Sequence, residues 1–412
     1  FQKDILNFTV PSGLLQGAYN EGKELDLYAD FPAEHIVKRD PQGNWCKWNG
    51  SSYDSLITGL NGTVYCMAEG PDGKIYVGGM FTDAGGTTNA DCLARWNPIT
   101  EQWEAVVAGI NQAVRALAFD ANGDLYVGGS FTLAGGITVN RIMKITNLTT
   151  SPTVNALGTG ASDNRVSTIV IAPDGKVCVG GHFQTMNSVA DTLNIAIWDG
   201  TSWSPLNKGL GPWGRDVITI AFAPDGTLWA GGSFTDADGV NGDYICWWDG
   251  ANFRPYWQPN SDSGTELNDN VMTIAFDHSG KLLIGGNFTN AGGIAAADYI
   301  ARYNGGSWEA LGSGTNNTVY KIIISTREIY VVGYFTTAGG LTLTDRVAVY
   351  ANGAWQPLDI DLPGTSQVNA ILPASDGSLY VGGGFSTAGT AGTPNAETGV
   401  VALNLNVASA SA

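Results

Sequence analysis

One recurring phrase constrains this chain more than anything else in it: a short β-rich run, two glycines, any residue, then Phe. It first appears as Val77-Gly78-Gly79-Met80-Phe81 and returns with its last residue at Phe131, Phe183, Phe234, Phe288, Phe335 and Phe385. The intervals are 50, 52, 51, 54, 47 and 50 residues. The sixth copy is imperfect, with Val332 where the first glycine belongs. Self-similarity at a fixed period of this length marks an architecture of repeated supersecondary units.

Each copy reads as four strands. Strand A is apolar on both faces, as in Val217-Ile218-Thr219-Ile220-Ala221-Phe222, and such a run is buried on both faces. A tight turn follows, such as Pro71-Asp72-Gly73, Asn122-Gly123 or Pro224-Asp225-Gly226; Asn-Gly and Asp-Gly accept the positive φ of hairpin turns. Strand B carries the glycine pair. Strand C is a run such as Ile195-Ala196-Ile197-Trp198, and a second turn, Asp199-Gly200, leads to strand D with its own aromatic, Trp203, Trp308 or Trp355 in different copies. Four antiparallel strands per unit predict an all-β chain folded as a β-propeller of seven four-stranded blades. Glycines inside a strand mark close approach by another group. The recurring Phe, Trp and Tyr are the expected groups, packed between blades as core.

The pattern resembles Kelch-type propeller repeats. It is closer to the Gly-Gly-x-Phe repeats of bacterial secreted proteins, phage tail-associated proteins and the fungal cortical cell-polarity marker family. Residues 194–206, Asn-Ile-Ala-Ile-Trp-Asp-Gly-Thr-Ser-Trp-Ser-Pro-Leu, carry that likeness most closely. It extends over roughly residues 44–406 and implies the fold while leaving function open, because propellers host many chemistries.

The ends break the pattern. Cys46–Leu56 aligns without gaps to Ala301–Leu311, a strand C and strand D, with no good strand A or B before it. Val400–Asn406 reads as a strand C with no strand D after it. The expected closure has Ser52–Ile57 completing the last blade, so that strands from both termini lock the ring. Leu25–Phe31 faintly resembles strand B, which leaves an eighth, degenerate blade as the alternative. Residues 1–43 are expected to be an extension, either a strap on the ring or a docking arm, and residues 44–412 the propeller.

Charge narrows the partners. The formal net charge is −18, from 20 basic and 38 acidic residues among 412. A phosphate backbone or an anionic lipid surface offers such a chain no electrostatic gain. No apolar run approaches the ~20 residues of a membrane helix. Five cysteines, an odd count without C-x-x-C, signal neither a disulfide framework nor a zinc site. The expected partners are therefore proteins of an assembly or surface glycans, with no nucleic acid and no membrane insertion.

Catalytic signals are weak. There are three histidines, His35, His182 and His278, and no H-E-x-x-H, G-x-S-x-G or phosphate-cradling loop. No cofactor is expected, although Asp120–Asp124 and Asp236–Gly239 offer oxygen ligands that would suit calcium; neither completes a calcium loop. Asn-x-Ser/Thr triplets at Asn7, Asn49, Asn61, Asn147, Asn287 and Asn316 are common in a chain this rich in Asn and Thr.

Antiparallel order puts the short A–B and C–D turns on one face and the longer B–C and D–A loops on the other. Long loops on a rigid scaffold are where binding is expected. The off-template aromatics Trp213, Tyr256 and Trp257 fall in adjacent D–A loops and are the candidate glycan-binding residues. The leading expectation is a non-enzymatic structural or receptor-binding propeller on an extracellular surface or a virus tail. A lectin-like adhesin and a polysaccharide-active enzyme are the alternatives. If the blade aromatics are core, Trp308→Ala costs about 3–5 kcal/mol; a loss under about 1 kcal/mol in chemical denaturation would contradict that packing.

Overall fold

The computed structural model describes residues 37–39, 45–48, 53–55, 59–211, 215–235, 237, 244–256, 267–325, 328–342, 344, 346–357, 367–375, 378–384 and 400–404. The chain divides into two units, Phe1–Ile57 and Thr58–Ala412.

The second unit is an all-β propeller. Its innermost strands are Thr63–Glu69, Val114–Phe119, Arg165–Ile171, Val217–Phe222, Val271–Phe276, Val319–Ile324 and Val368–Pro373. Each is followed by the glycine-bearing strand, and A pairs with B and B with C in antiparallel register. Successive inner strands pack side by side, and the last returns to the first, so the ring is closed.

Blade number departs from expectation. Six sheets have four strands; the seventh position in the ring is a three-stranded sheet, Val368–Pro373, Ser378–Gly383 and Val400–Asn404. Among the described residues the structure thus has six full blades rather than seven. The N-terminal strand expected to complete the last sheet does not join it. Tyr53–Ser55 pairs with Trp45–Trp48, which pairs with Val37–Arg39, forming a separate three-stranded sheet. Leu25–Phe31 lies outside the described residues. Closure is made instead by contacts between the three-stranded sheet and blade one. Asn369 Nδ2 donates to the Val64 carbonyl at 2.9 Å, and the Ser375 backbone N–H donates to Glu69 Oε2 at 2.9 Å.

The glycine pair has two separate causes. A Cβ added at the first glycine would meet a valine from the next inner strand. The separations are 2.5 Å from Gly78 to Val114, 2.7 Å from Gly128 to Val166, 2.5 Å from Gly180 to Val217, 2.7 Å from Gly231 to Val271 and 2.5 Å from Gly285 to Val319. At the closure, Gly382 meets Val64 at 2.6 Å. The group that needs the glycine is therefore a β-branched aliphatic and not the aromatic expected from sequence. A flat ring is too broad for the gap beside the axis, where the blades converge. The second glycine answers its own blade: an added Cβ would stand 2.2 Å from the Thr63 carbonyl oxygen at Gly79, and 2.0 Å from that of Asp216 at Gly232. There the inner strand carries a register shift, a β-bulge that brings its backbone close to strand B.

The aromatics are core, as expected. Phe131, Phe183, Phe234, Phe288 and Phe335 are fully buried. The strand D indoles lie over the B–C loop of their own blade: Cβ atoms placed at Gly292 and Gly339 would meet Trp308 and Trp355 at 3.0 and 2.7 Å. Trp203 Nε1 donates to the Leu157 carbonyl at 2.9 Å, tying its blade to the one before.

Gly180→Ala tests the interblade contact. Its methyl would press on Val217 Cγ1 at 2.5 Å and Thr168 Cγ2 at 2.8 Å. The expected loss is about 1–3 kcal/mol by denaturant titration, the range for overpacking a filled core.

Candidate binding face and central channel

The B–C and D–A loops share one face, and that face is fastened by a clamp that repeats between blades. In blade one, Asn61 Oδ1 accepts from the Thr82 and Asp83 backbone N–H groups at 2.8 and 3.0 Å, while Asn61 Nδ2 donates to Thr82 Oγ1 at 3.0 Å. Asn111 holds Thr132 and Leu133 in the same way, at 2.9 and 3.1 Å. Asn268 holds Thr289 at 2.9 Å, and Asn316 holds Thr336 and Thr337 at 2.8 and 3.0 Å. In blade three Asp163 and Ser162 replace the amide, accepting from Gln184 and Thr185 N–H at 2.8 and 3.1 Å. Each clamp ties a D–A loop to a B–C loop, so both lose freedom together. Sequence reading took Asn61 and Asn316 only as glycosylation triplets. The signal that identifies the clamp is an Asn 20 or 21 residues before the Thr that follows the repeat Phe.

The bulges build a second feature. They leave one residue of each inner strand unpaired: Tyr65, Arg115, Ser167, Ile218, Met272, Tyr320 and Asn369. These lie near the start of strand A, hence toward the long-loop end of the channel. Bulges re-aim side chains, and here they reach neighbouring inner strands. The Arg115 guanidinium carbon is 4.7 Å from the Tyr65 ring centroid. Ser167 Oγ donates to Asp216 Oδ1 at 3.2 Å, and Arg165 forms an ion pair with Asp216. His182 stands opposite Arg165 in the strand register. Burial pushes the Tyr320 phenol above its ordinary value, with Tyr334 adding to the effect. Where the repeat keeps the same residues around the ring, this tier differs in every blade but two.

Blade two breaks the template beside its C–D turn. Its strand C and D pair is Ile145 with Val154, where other blades pair Trp96 with Trp103, Trp198 with Trp203 or Tyr303 with Trp308. The missing ring leaves an open cleft of about 400 Å³ lined by Val106, Val107, Gly135, Ile137, Thr153 and Val154, in which polar and apolar atoms are exposed about equally. The adjoining hairpin exposes Leu133 and Ile137, which are 39% and 42% accessible.

Of the three candidate aromatics, the structure places one. Tyr256 packs edge-on against Trp308 and Tyr303, with ring centroids at 5.2 and 5.9 Å, and its hydroxyl accepts from Trp308 Nε1 at 3.4 Å. It is anchored to blade five. Trp213 and Trp257 lie outside the described residues, as do His35 and the Asp236–Gly239 loop apart from Ala237. Asp120 and Asp124 share the Lys144 ammonium at 3.0 and 2.8 Å, so a protein cation already stands between them. Among the described residues no group of three or more His, Cys, Asp and Glu is placed to hold a metal ion. His278 Nε2 lies 2.8 Å from the Ser325 carbonyl oxygen. Burial pushes the Cys66 and Cys178 thiols up to about 12, so neither is a poised nucleophile.

The comparisons agree on the class. A family described as a domain of unknown function (DUF5122) beta-propeller matches residues 70–98, the stretch from the first A–B turn through the first strand C. No curated protein matches the chain in sequence. Among solved structures, the WD40 β-propeller domain of Doa1 superposes with a TM-score of 0.52 at 15% identity, covering 80% of this chain and 92% of that one. YCF48 bound to D1 peptide superposes at 0.50 and 14% identity, covering 84% and 94%. Virginiamycin B lyase from Staphylococcus aureus does so at 0.50 and 12% identity, covering 79% and 93%. At such identities the likeness concerns the fold alone, and the chain is a β-propeller.

Asn111→Ala should free the Thr132–Leu133 segment, since three hydrogen bonds go at once. The expected cost is about 1–3 kcal/mol, with amide exchange accelerated in that loop and unchanged at the inner strands. Uniform acceleration would show that the clamp is not local.

Proposed function

We propose that this chain is a non-enzymatic structural or receptor-binding propeller, displayed on an extracellular surface or a phage-tail particle, that engages a protein partner through its long-loop face. The observation that carries the reading is the blade-two cleft. It is about 400 Å³ in volume, lined mostly by aliphatic residues, and bordered by exposed Leu133 and Ile137 on a loop that Asn111 holds in place. Preformed concave apolar surface with exposed aliphatic edges suits a protein side chain. The clamps lower the ordering cost of docking. The low content of charged residues, 14%, and the resemblance to secreted and tail-associated repeats support display outside a cell. YCF48, a propeller of similar fold, was solved with a bound peptide; a protein ligand for the present chain is consistent with that precedent.

The test is the native mass of the protein taken from its source, by light scattering and particle imaging. A large particle is expected, and Val154→Trp, which refills the cleft with the repeat's own aromatic, should release the protein from it while keeping or raising the melting temperature. A free monomer would overturn the assembly reading. Glycan-array binding that is lost in a Trp213→Ala/Trp257→Ala variant would favour the adhesin instead.

A further inference from the structure

Among the described residues, strand D is the outermost strand of each complete blade, and its outer edge has no partner strand. An unpaired edge templates further strands unless a proline or a charge blocks it. Five of the six D strands carry such a block. Pro205, Pro255 and Pro357 stand in or directly after the D strands of blades three, four and six, and Glu104 and Glu309 lie in those of blades one and five. The D strand of blade two, Thr153–Ala156, reads Thr-Val-Asn-Ala and has neither. Only Val154 in it is partly covered; the other residues are exposed.

The sister blades show which way this edge faces. Pro255 and Pro357 stand opposite Cys246 and Ala348 of strand C, and Ala156 stands opposite Met143 in the same register. Proline has no N–H to give, so the ladder needs none at this position and the Ala156 N–H points away from strand C. In an antiparallel pair alternate residues turn both backbone groups to the partner; Val154 and Ala156 therefore turn theirs outward. The Val154 side chain meanwhile lines the cleft. A Cβ added at Gly135 would meet Val154 at 3.0 Å and Val107 at 3.5 Å, where one at Gly292 or Gly339 meets an indole. Val107 holds the loop position of Gly312, whose added Cβ would stand 3.2 Å from Trp355. Two valines thus form the floor of a slot that a ring fills elsewhere.

We propose that blade two accepts an extended segment of a partner protein as a fifth strand along Thr153–Ala156, with one aromatic side chain of that segment seated in the adjoining cleft. This rests on the protein-partner reading above and specifies the segment and its mode of docking. Val154 and Ala156 supply the main-chain hydrogen bonds, and alternate side chains of an added strand fall on the face where Val154 lines the cleft. An aromatic ring there restores the cover that Trp308 and Trp355 give their loop glycines, beside exposed Leu133 and Ile137. Neither the strand nor the cleft lining carries a charge, so the docking stretch is uncharged. Basic residues flanking it suit a chain of net charge −18.

The probe is the end-blocked peptide Lys-Thr-Val-Trp-Val-Thr-Lys, titrated into the purified full chain by NMR, with the same peptide carrying Ala for Trp as the control. Saturable binding is expected with a Kd of about 1 mM or tighter, and the Val154 and Ala156 amides should shift and exchange more slowly. The Ala peptide should bind about tenfold more weakly, the scale of burying one large side chain. Ala156→Pro should weaken the Trp peptide about tenfold or more with melting unchanged, because three sister blades carry proline at this position. No saturable binding of the Trp peptide, or binding undiminished in Ala156→Pro, would overturn the proposal. Dimerisation of the chain alone that Ala156→Pro abolishes would assign the edge to a second copy instead. Peptide binding by a protein that is a free monomer in its source would remove the assembly and leave the edge site standing. Release from the particle by Val154→Trp without peptide binding would do the reverse.

Discussion

At six of the seven junctions a valine at the head of an inner strand packs closely on a glycine of the preceding blade, and this contact sets the spacing of the ring. The six contacts of this kind fall between 2.5 and 2.7 Å for a hypothetical Cβ, so at these six glycines a side chain would displace its neighbour; blade six has Val332 at the equivalent position. Blades converge toward the axis, and at six of the seven junctions the interblade gap holds one branched aliphatic side chain opposite a glycine. Packing at that density transmits position from one blade to the next. It also explains why the last sheet closes on the first through the same pair, Gly382 and Val64, without borrowing a strand.

The second glycine works with the first. It lets strand B approach a bulged inner strand, and the bulge repeats in all seven inner strands. A device needed for curvature near the axis thus has a chemical consequence. It turns one residue per inner strand out of the ladder, and these residues are free to vary. Away from the axis the blades are held by different means, with indoles laid on loop glycines in blades five and six and asparagines bridging loops in four blades. The scaffold is therefore uniform where blades pack, and individual where Tyr65, Arg115, Met272 or Asn369 meets the channel. Blade two, where Ile145 and Val154 replace the aromatic pair, leaves an unfilled requirement, an absent ring.

Much of the fold was legible in the sequence. The period of about fifty residues, the turn dipeptides and the two-sided apolar runs define strands, order and class, because each is a local requirement repeated. The reading failed where the requirement is not local. The aromatics seemed the natural neighbours of the glycines, yet the gap admits only valine, and gap width is a property of two blades together. Ser52–Ile57 looked like the missing strand D, but Tyr53–Ser55 is paired within the first unit. A strand's partner depends on which other strands are available to it. Tyr256 looked free in sequence and is packed on Trp308, a residue 52 positions away.

By itself the sequence determined that this chain is all-β, repeats one four-stranded unit, and closes as a propeller with short turns on one face and long loops on the other. Those properties follow from periodicity and turn chemistry, which act over a few residues. Only the tertiary structure decided that six blades are complete and that the ring closes by packing. It alone revealed the asparagine clamps and the blade-two cleft. The cleft depends on residues brought together from blades one and two, and each clamp on two loops of one repeat that only the folded blade sets side by side.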